Sequence, residues 1–299
     1  MMPRPRPNSP AAWSRLELYG EWVADSAFRI GDGSPDGVAF DLADLPFIPA
    51  GSLRGALRTH CESMLRAMDS DAMQVIQEIQ ITGTNNKPVP MLRRVGLACD
   101  SVDKPANSLN YQGCLTEAIV QLWAKDPLVA LDQAVPACAC LACRVFGASW
   151  LRGKLHLSDL PLIPDSWDES DMLRGGITLN RDTGTRIPGQ NYERRALPPG
   201  VRFTLRLILE NATLEEQGMV LLGLRAFELG WIALGADRAR GLGWGHLEID
   251  WWNCRYADQE TWIEALLFKE PLPFTEEDAE ARIAIFADFV RGLNRKQDE

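Results

Sequence analysis

Phe203-Thr204-Leu205-Arg206-Leu207-Ile208-Leu209 places an apolar side chain at every second position. That is the period of a strand with one face in a core. Directly after it, Leu214 to Leu234 carries Val220, Leu221, Leu224, Phe227 and Trp231 at helical spacing, which predicts an apolar-faced helix. Gly241-Leu242-Gly243-Trp244-Gly245 then predicts a turn, and Leu247, Ile249 and Trp251 a final strand. This strand–helix–strand half decides the fold, because the first half of the chain repeats it.

Upstream, Arg15 to Ala24 alternates through Leu16, Leu18 and Trp22 as a strand. A Gly- and Asp-rich loop follows at Gly31-Asp32-Gly33-Ser34-Pro35-Asp36-Gly37. Ser52 has the chemistry of an N-cap. From it Leu53, Ala56, Leu57, Cys61, Met64, Leu65 and Met68 recur at helical spacing. Gly153 to Leu160 predicts another strand. The resulting order, strand, helix, strand, strand, helix, strand, is that of the split βαβ, or ferredoxin-like (RRM-like), α+β fold. The core domain spans 15–252. Residues 1–14 are expected to form a disordered arm, and 253–299 a helical tail with an amphipathic helix from Glu276 to Leu293. Two insertions interrupt the core. The first, 70–147, has a turn-rich stretch from Gly83 to Pro90 and a helical pattern from Leu115 to Leu131. The second, 175–200, lacks a strong period and reads as a long hairpin; loops of that length in a compact domain are usually functional.

Composition bounds the function. The formal net charge of −10 is unusual for a nucleic-acid binder, but the charges are segregated. Glu276, Glu277, Asp278 and Glu280 cluster near the C-terminus, while Arg174, Arg181, Arg186, Arg194 and Arg195 gather in the hairpin, with Arg238 and Arg240 beyond it. Screening limits each charge to a reach of ~8–10 Å, so an acidic chain can hold a basic groove. No apolar run approaches the ~18 residues of a membrane span, and Met1 to Pro10 lacks the apolar core of a secretory signal; a cytoplasmic location is expected. The seven cysteines do not suggest a disulfide framework. Cys138, Cys140 and Cys143 lie close enough together to clamp a structural Zn²⁺. Cys114 is the preferred fourth ligand, with Cys99, His60, His156 and His246 as alternatives. The same cluster also suits buried, reduced thiols.

Three segments resemble the RAMP superfamily. Phe47-Ile48-Pro49-Ala50-Gly51-Ser52-Leu53-Arg54-Gly55-Ala56-Leu57-Arg58 is similar to its I-P-G-S-S-L-[KR]-G segment. Cys140-Leu141-Ala142-Cys143-Arg144-Val145-Phe146-Gly147 resembles the C-x-x-C-R-[LIV]-F-G segment of its type III CRISPR backbone subunits. Gly235 to Gly245 resembles their glycine-rich loop. The resemblance implies a subunit that stacks with others along a guide RNA and presses a β-hairpin thumb into the guide–target duplex. It also implies Mg²⁺-dependent or other divalent-ion cleavage of the target RNA by an Asp after the first strand. Here that Asp aligns with Asp36, with Asp32 and Asp41 as alternatives. A non-catalytic scaffold or cap subunit of the same complex, or a zinc-stabilised adaptor without RNA, remains open.

The candidate RNA contacts have physical grounds as well. Gly51 and Ser52 open a helix whose free N–H groups favour a phosphate. Arg54 and Arg58 lie one turn apart. Arg181, Arg186 and Arg194 can neutralise phosphates, and Tyr192 can stack. Arg238, Arg240, Gly241 and Gly243 form the glycine-rich loop, which lacks a Walker ending and precedes a strand, so no nucleotide hydrolysis is expected. Ordinary capping, solvated arginines and turn chemistry account for the same residues less specifically. Trp244 is expected to pack in the core.

Overall fold

A computed structural model of the chain describes residues 13–31, 38–68, 75–82, 88–95, 98, 139–148, 151–269 and 271–295. The chain begins with β1 (Ser14–Ala24), short β2 (Phe47–Ile48) and α1 (Ala50–Met68). In the first insertion β3 (Val75–Thr82) and β4 (Pro88–Val95) pair with each other and, among the described residues, with no other strand. Then come α2 (Leu141–Phe146), β5 (Leu155–Leu157) and β6 (Leu160–Pro161). A hairpin of β7 (Met172–Leu179) and β8 (Arg186–Ala196) leads to β9 (Arg202–Glu210) and α3 (Leu214–Glu228). The chain finishes with β10 (Gly245–Ile249), β11 (Arg255–Asp258), α4 (Trp262–Phe268), β12 (Leu272–Pro273) and α5 (Glu276–Arg295).

The central sheet has the order β12-β11-β1-β9-β5, and β10 also pairs with β1. Its pairings are antiparallel. Read through the two strand–helix–strand halves, the order β10-β1-β9-β5 is that of the ferredoxin-like arrangement. Alternation explains the burial. Leu16, Leu18 and Trp22 of β1 and Phe203, Leu205, Leu207 and Leu209 of β9 all point into the core. Each such side chain contributes roughly 1.5–3 kcal/mol on burial. Leu53, Leu57, Cys61 and Leu65 of α1 and Met219, Val220, Leu224 and Phe227 of α3 cover that face.

Two glycines set how close the helices come. A Cβ on Gly223 would stand 2.7 Å from Cys61 Sγ, so α1 and α3 cross there. A Cβ on Gly218 would stand 2.1 Å from the Arg282 carbonyl oxygen, so α5 lies directly on α3. Ala279, Phe286 and Val290 of α5 are buried in that contact. The C-terminal segment therefore completes the core, and through β11 and β12 it adds two strands to the sheet. The helical pattern alone did not indicate this.

Other local readings change as well. Ser52 is not the N-cap: α1 begins at Ala50, whose N–H donates to Asp159 Oδ1 at 2.7 Å. That carboxylate, remote in sequence, replaces the cap the local pattern suggested. It sits where the expected 153–160 strand breaks into β5 and β6. The second helix ends at Glu228, not Leu234. Gly230 (φ +67°) turns the chain, with Gly230 N–H donating to Phe227 O and Trp231 N–H to Ala226 O, which is a Schellman ending. Trp231 is consequently 68% exposed. The last core strand stops at Ile249, and Pro88–Pro90 belongs to β4 rather than to a turn. The Leu115–Leu131 helix lies outside the described residues.

Gly218→Ala should force α5 off α3 and cost roughly 1–3 kcal/mol of stability, as overpacking does. The check is a drop in melting temperature. Gly292→Ala, where an added methyl meets open space, should leave the melting temperature unchanged or raise it.

Candidate nucleic-acid interface

The first motif cluster forms a groove. The start of α1 faces the turn that joins α2 to β5, and an open space of about 440 Å³ lies between them. Gly51, Arg54, Gly55 and Arg58 line one side, Gly147 and Ala148 the other. Gly147 has φ +81°, and a Cβ there would stand 2.8 Å from Gly153 N. Only glycine fits such a position. Arg54 Nη2 donates to the Phe146 carbonyl at 2.5 Å, and Arg58 Nη1 to the Gly147 carbonyl at 3.1 Å. Arg58 also meets Glu62 at 2.7 Å. The sequence offered both arginines to phosphates. In the structure they also satisfy carbonyls at the end of α2, where a six-residue helix leaves acceptors unpaired.

The groove is fixed to the core by a buried carboxylate that the sequence reading missed. Glu216 is 0% exposed and contacts Lys154 Nζ at 2.5 Å and Arg144 Nε at 3.2 Å. It also closes a capping box with Thr213 at the start of α3. The pattern Thr213-x-x-Glu216 was the available signal.

The second cluster joins the glycine-rich loop to the hairpin. β7 and β8 are joined across 180–185, where Asn180 Oδ1 accepts from the Asp182 N–H and the chain turns at Gly184 (φ +66°). The hairpin runs 172–196 rather than 175–200. Arg181 and Arg186 are exposed at its tip, and Tyr192 lies in β8 opposite Gly176. At its base, Arg194 bonds Asp237. Asp237 also pairs with Arg29 at 3.4 Å and Arg240 at 3.1 Å. Its side chain is 10% exposed. Burial pushes its carboxyl up, but the hydrogen bond from Arg194 and the charges of Arg194, Arg240 and Arg29 outweigh that and hold it below the usual carboxylate range. Around this centre, a Cβ on Gly235 would stand 2.1 Å from Arg29 O, and one on Gly243 2.0 Å from Leu234 O. Arg238, Arg240 and Gly241 are exposed. Trp244, expected in the core, is 44% exposed, while Leu242 and Leu247 are buried. The loop bonds to Asp25, Ser26, Ala27 and Arg29 after β1 and to Arg194 of the hairpin.

The open face of the sheet is not a stacking platform. Arg15 contacts Glu17 and Glu210, each at 2.5 Å, Arg202 contacts Glu21 and Glu248, each at 2.8 Å, and Tyr19 donates to Glu17. These paired charges occupy the surface where an RRM presents aromatics.

Asp36 and Asp32 lie outside the described residues. Asp41 does not stand free: its Oδ1 accepts from the N–H groups of Ala43 and Leu45, the turn chemistry of an Asx motif. Cys114, Cys138 and Cys99 are also outside. Cys140 and Cys143 are both buried, and Cys140 Sγ accepts from the Cys143 N–H at 3.4 Å. Two buried thiols at the start of one short helix fit half of a tetrahedral thiolate site. Among the described residues no group of three metal-ligating side chains is assembled. His246 and His156 face carboxylates, Asp25 and Glu210 respectively.

Compared with known proteins, residues 24–248 match the model of the RAMP superfamily. The chain belongs to the RAMP superfamily. This membership suggests a CRISPR-associated RNA-binding subunit. The match in this RAMP protein starts at the end of β1 and stops in β10, so it takes in the groove, the hairpin and the glycine-rich loop but not the segment from β11 onward. No curated protein matches the chain. Among the described residues no helix is long and apolar enough to cross a membrane.

Two measurements check this electrostatic framework. Glu216→Ala removes the capping-box carboxylate and the shared partner of two part-exposed cations and should cost roughly 1–3 kcal/mol, measured by denaturant unfolding. For Asp237 the folded pKa is depressed. Its contribution is therefore fully present above the unfolded value, about 3.9, and is lost as pH falls through the lower folded value. The stability gap between wild type and Asp237→Asn should stay constant near neutral pH and close in acid.

Proposed function

We propose that this RAMP protein is a guide-RNA-binding backbone subunit of a type III CRISPR ribonucleoprotein in the cytoplasm, and that it cleaves complementary target RNA through Asp36. The observation that carries the reading is the family match combined with the free-standing hairpin. Among the described residues β7 and β8 pair with no strand of the central sheet, and Arg181 and Arg186 are exposed at the hairpin's tip, with Arg194 and Arg195 at its base. A projecting two-stranded arm rich in arginine suits a thumb pressed into a nucleic-acid duplex. The groove beside α1 supplies glycine backbone and two guanidiniums for the guide phosphates.

Binding rests on backbone phosphates and duplex shape, since the sheet face is closed by ion pairs. Cleavage needs a carboxylate near the target's 2′-hydroxyl, and a Mg²⁺ or similar ion bound there would supply charge neutralisation at the scissile phosphate. Asp36 is the candidate for that carboxylate. Cys140 and Cys143, with Cys138 and Cys114, are candidates to hold a structural Zn²⁺ that clamps the first insertion. The partners are guide RNA, target RNA and neighbouring subunits. A second reading, a non-catalytic scaffold or cap, draws support from Asp41, whose carboxylate is taken up by its own turn.

The reconstituted complex should cut guide-complementary RNA with Mg²⁺ and not with EDTA. Asp36→Ala should abolish the cuts and retain target binding. Intact cleavage by that variant would move the protein to the scaffold reading. Metal analysis of the purified chain should find zinc at one equivalent per chain, lost in the Cys140→Ser, Cys143→Ser double variant.

A further inference from the structure

We propose that α4, together with Leu272, is a docking surface for a second protein, one that presents an apolar surface flanked by lysines or arginines. This makes it a contact between different subunits of the ribonucleoprotein, and in that respect it rests on the reading above.

α4 is a helix that buries nothing. Trp262, Ile263, Ala265, Leu266, Leu267 and Phe268 make up six of its seven residues. A helix apolar on nearly every side belongs in an interior, yet no residue of α4 is buried. Leu267 and Phe268 are 71% and 70% exposed, and Ile263, Leu266 and Leu272 are half-exposed. Ile263 and Leu267 lie one turn apart on one face, so the exposed side chains are neighbours. Scattered exposed apolar residues need no explanation, but a contiguous group marks an interaction site. The surface lies beyond the family-matched region, which ends at residue 248.

The helix is anchored in place. Asp258 Oδ1 accepts from the Thr261 N–H and hydroxyl, and the Trp262 ring lies 5.5 Å from that of Trp13. A partner therefore meets a formed surface, at little cost in ordering. Strand addition is a poor way to reach it. β12 ends the sheet order and is two residues long, its second residue is Pro273, and Pro271 precedes it. Short, proline-bearing edges resist pairing, so recognition falls to side chains.

Charge selects the partner. Between Asp258 and Glu280 stand eight acids and a single base, Lys269. Glu264 belongs to α4 itself, and Glu260 precedes it. The chain from Leu272 to Glu276 spans at most about 14 Å, which brings the acidic start of α5 to the same region. Glu260, Glu264 and Glu277 are exposed and, among the described residues, in no ion pair. A symmetric contact with a second copy would set these carboxylates against their own counterparts, and like charges across an interface are costly. RNA and anionic lipid are repelled in the same way. A protein with a basic rim is the complement.

The test uses the full-length chain in the reconstituted complex. With Leu267→p-benzoylphenylalanine, irradiation should cross-link the chain to a different protein, at a peptide that carries apolar residues beside Lys or Arg. A cross-link to RNA, to another copy or within the same chain overturns the proposal. The double variant Leu267→Ser, Phe268→Ser should keep the wild-type melting temperature, because both side chains are exposed, and bind the cross-linked protein about tenfold more weakly. Glu264→Gln with Glu277→Gln should also weaken that binding and flatten its dependence on potassium chloride. Wild-type affinity in both double variants overturns the docking surface even where guide RNA is bound. A wild-type chain that cross-links to the protein but binds no guide RNA overturns the RNA-binding reading and leaves the docking surface standing.

Discussion

A carboxylate with no access to water must be paired or it destabilises the fold, and Glu216 is such a carboxylate. Its two cationic partners come from α2 and from the residue before β5, and its own backbone begins α3. The pairing therefore fixes the short α2 segment to the second core helix. From there the constraint passes outward. With α2 in place, Gly147 and Gly153 can meet at backbone distance, and Arg54 and Arg58 can reach the carbonyls of Phe146 and Gly147. The groove beside α1 is the surface consequence of a charge balanced in the interior.

The hairpin is held by a different means. Among the described residues it has no strand neighbours in the sheet and attaches at its base. An isolated two-stranded ribbon is marginal in water, so its orientation must come from contacts at that base. The backbone pair Phe28–Leu197 provides one, and the arginines around Asp237 provide another. One end of the molecule is thus organised by hydrophobic packing and a buried ion cluster, the other by polar contacts that a nucleic acid can join.

Much of the core was legible in the sequence, because alternation in β1 and β9 and the 3.6-residue period in α1 follow directly from which side chains face the interior. The limits were equally physical. Trp231 fell on the apolar face of the predicted helix only because the αL turn at Gly230 was not taken as a stop. The N-cap of α1 could not be found locally, since its acceptor is Asp159. The role of Asp237 was invisible for the same reason: two of its three partners, Arg29 and Arg194, are distant in sequence. Arg54 and Arg58 were expected one turn apart on α1, but their bonds to backbone carbonyls depend on a turn that no local pattern specifies.

One consequence lies in the length of β1. Along a single edge it serves two strands in succession, β10 at residues 20–24 and β11 at residues 14–17. The family-matched region includes the first and omits the second. A fragment cut at the end of β10 would leave the lower half of that edge bare, with unpaired N–H and C=O groups in an extended row. Such an edge is a template for pairing with another chain. The segment beyond β10 therefore also covers an edge that would otherwise be open to pairing.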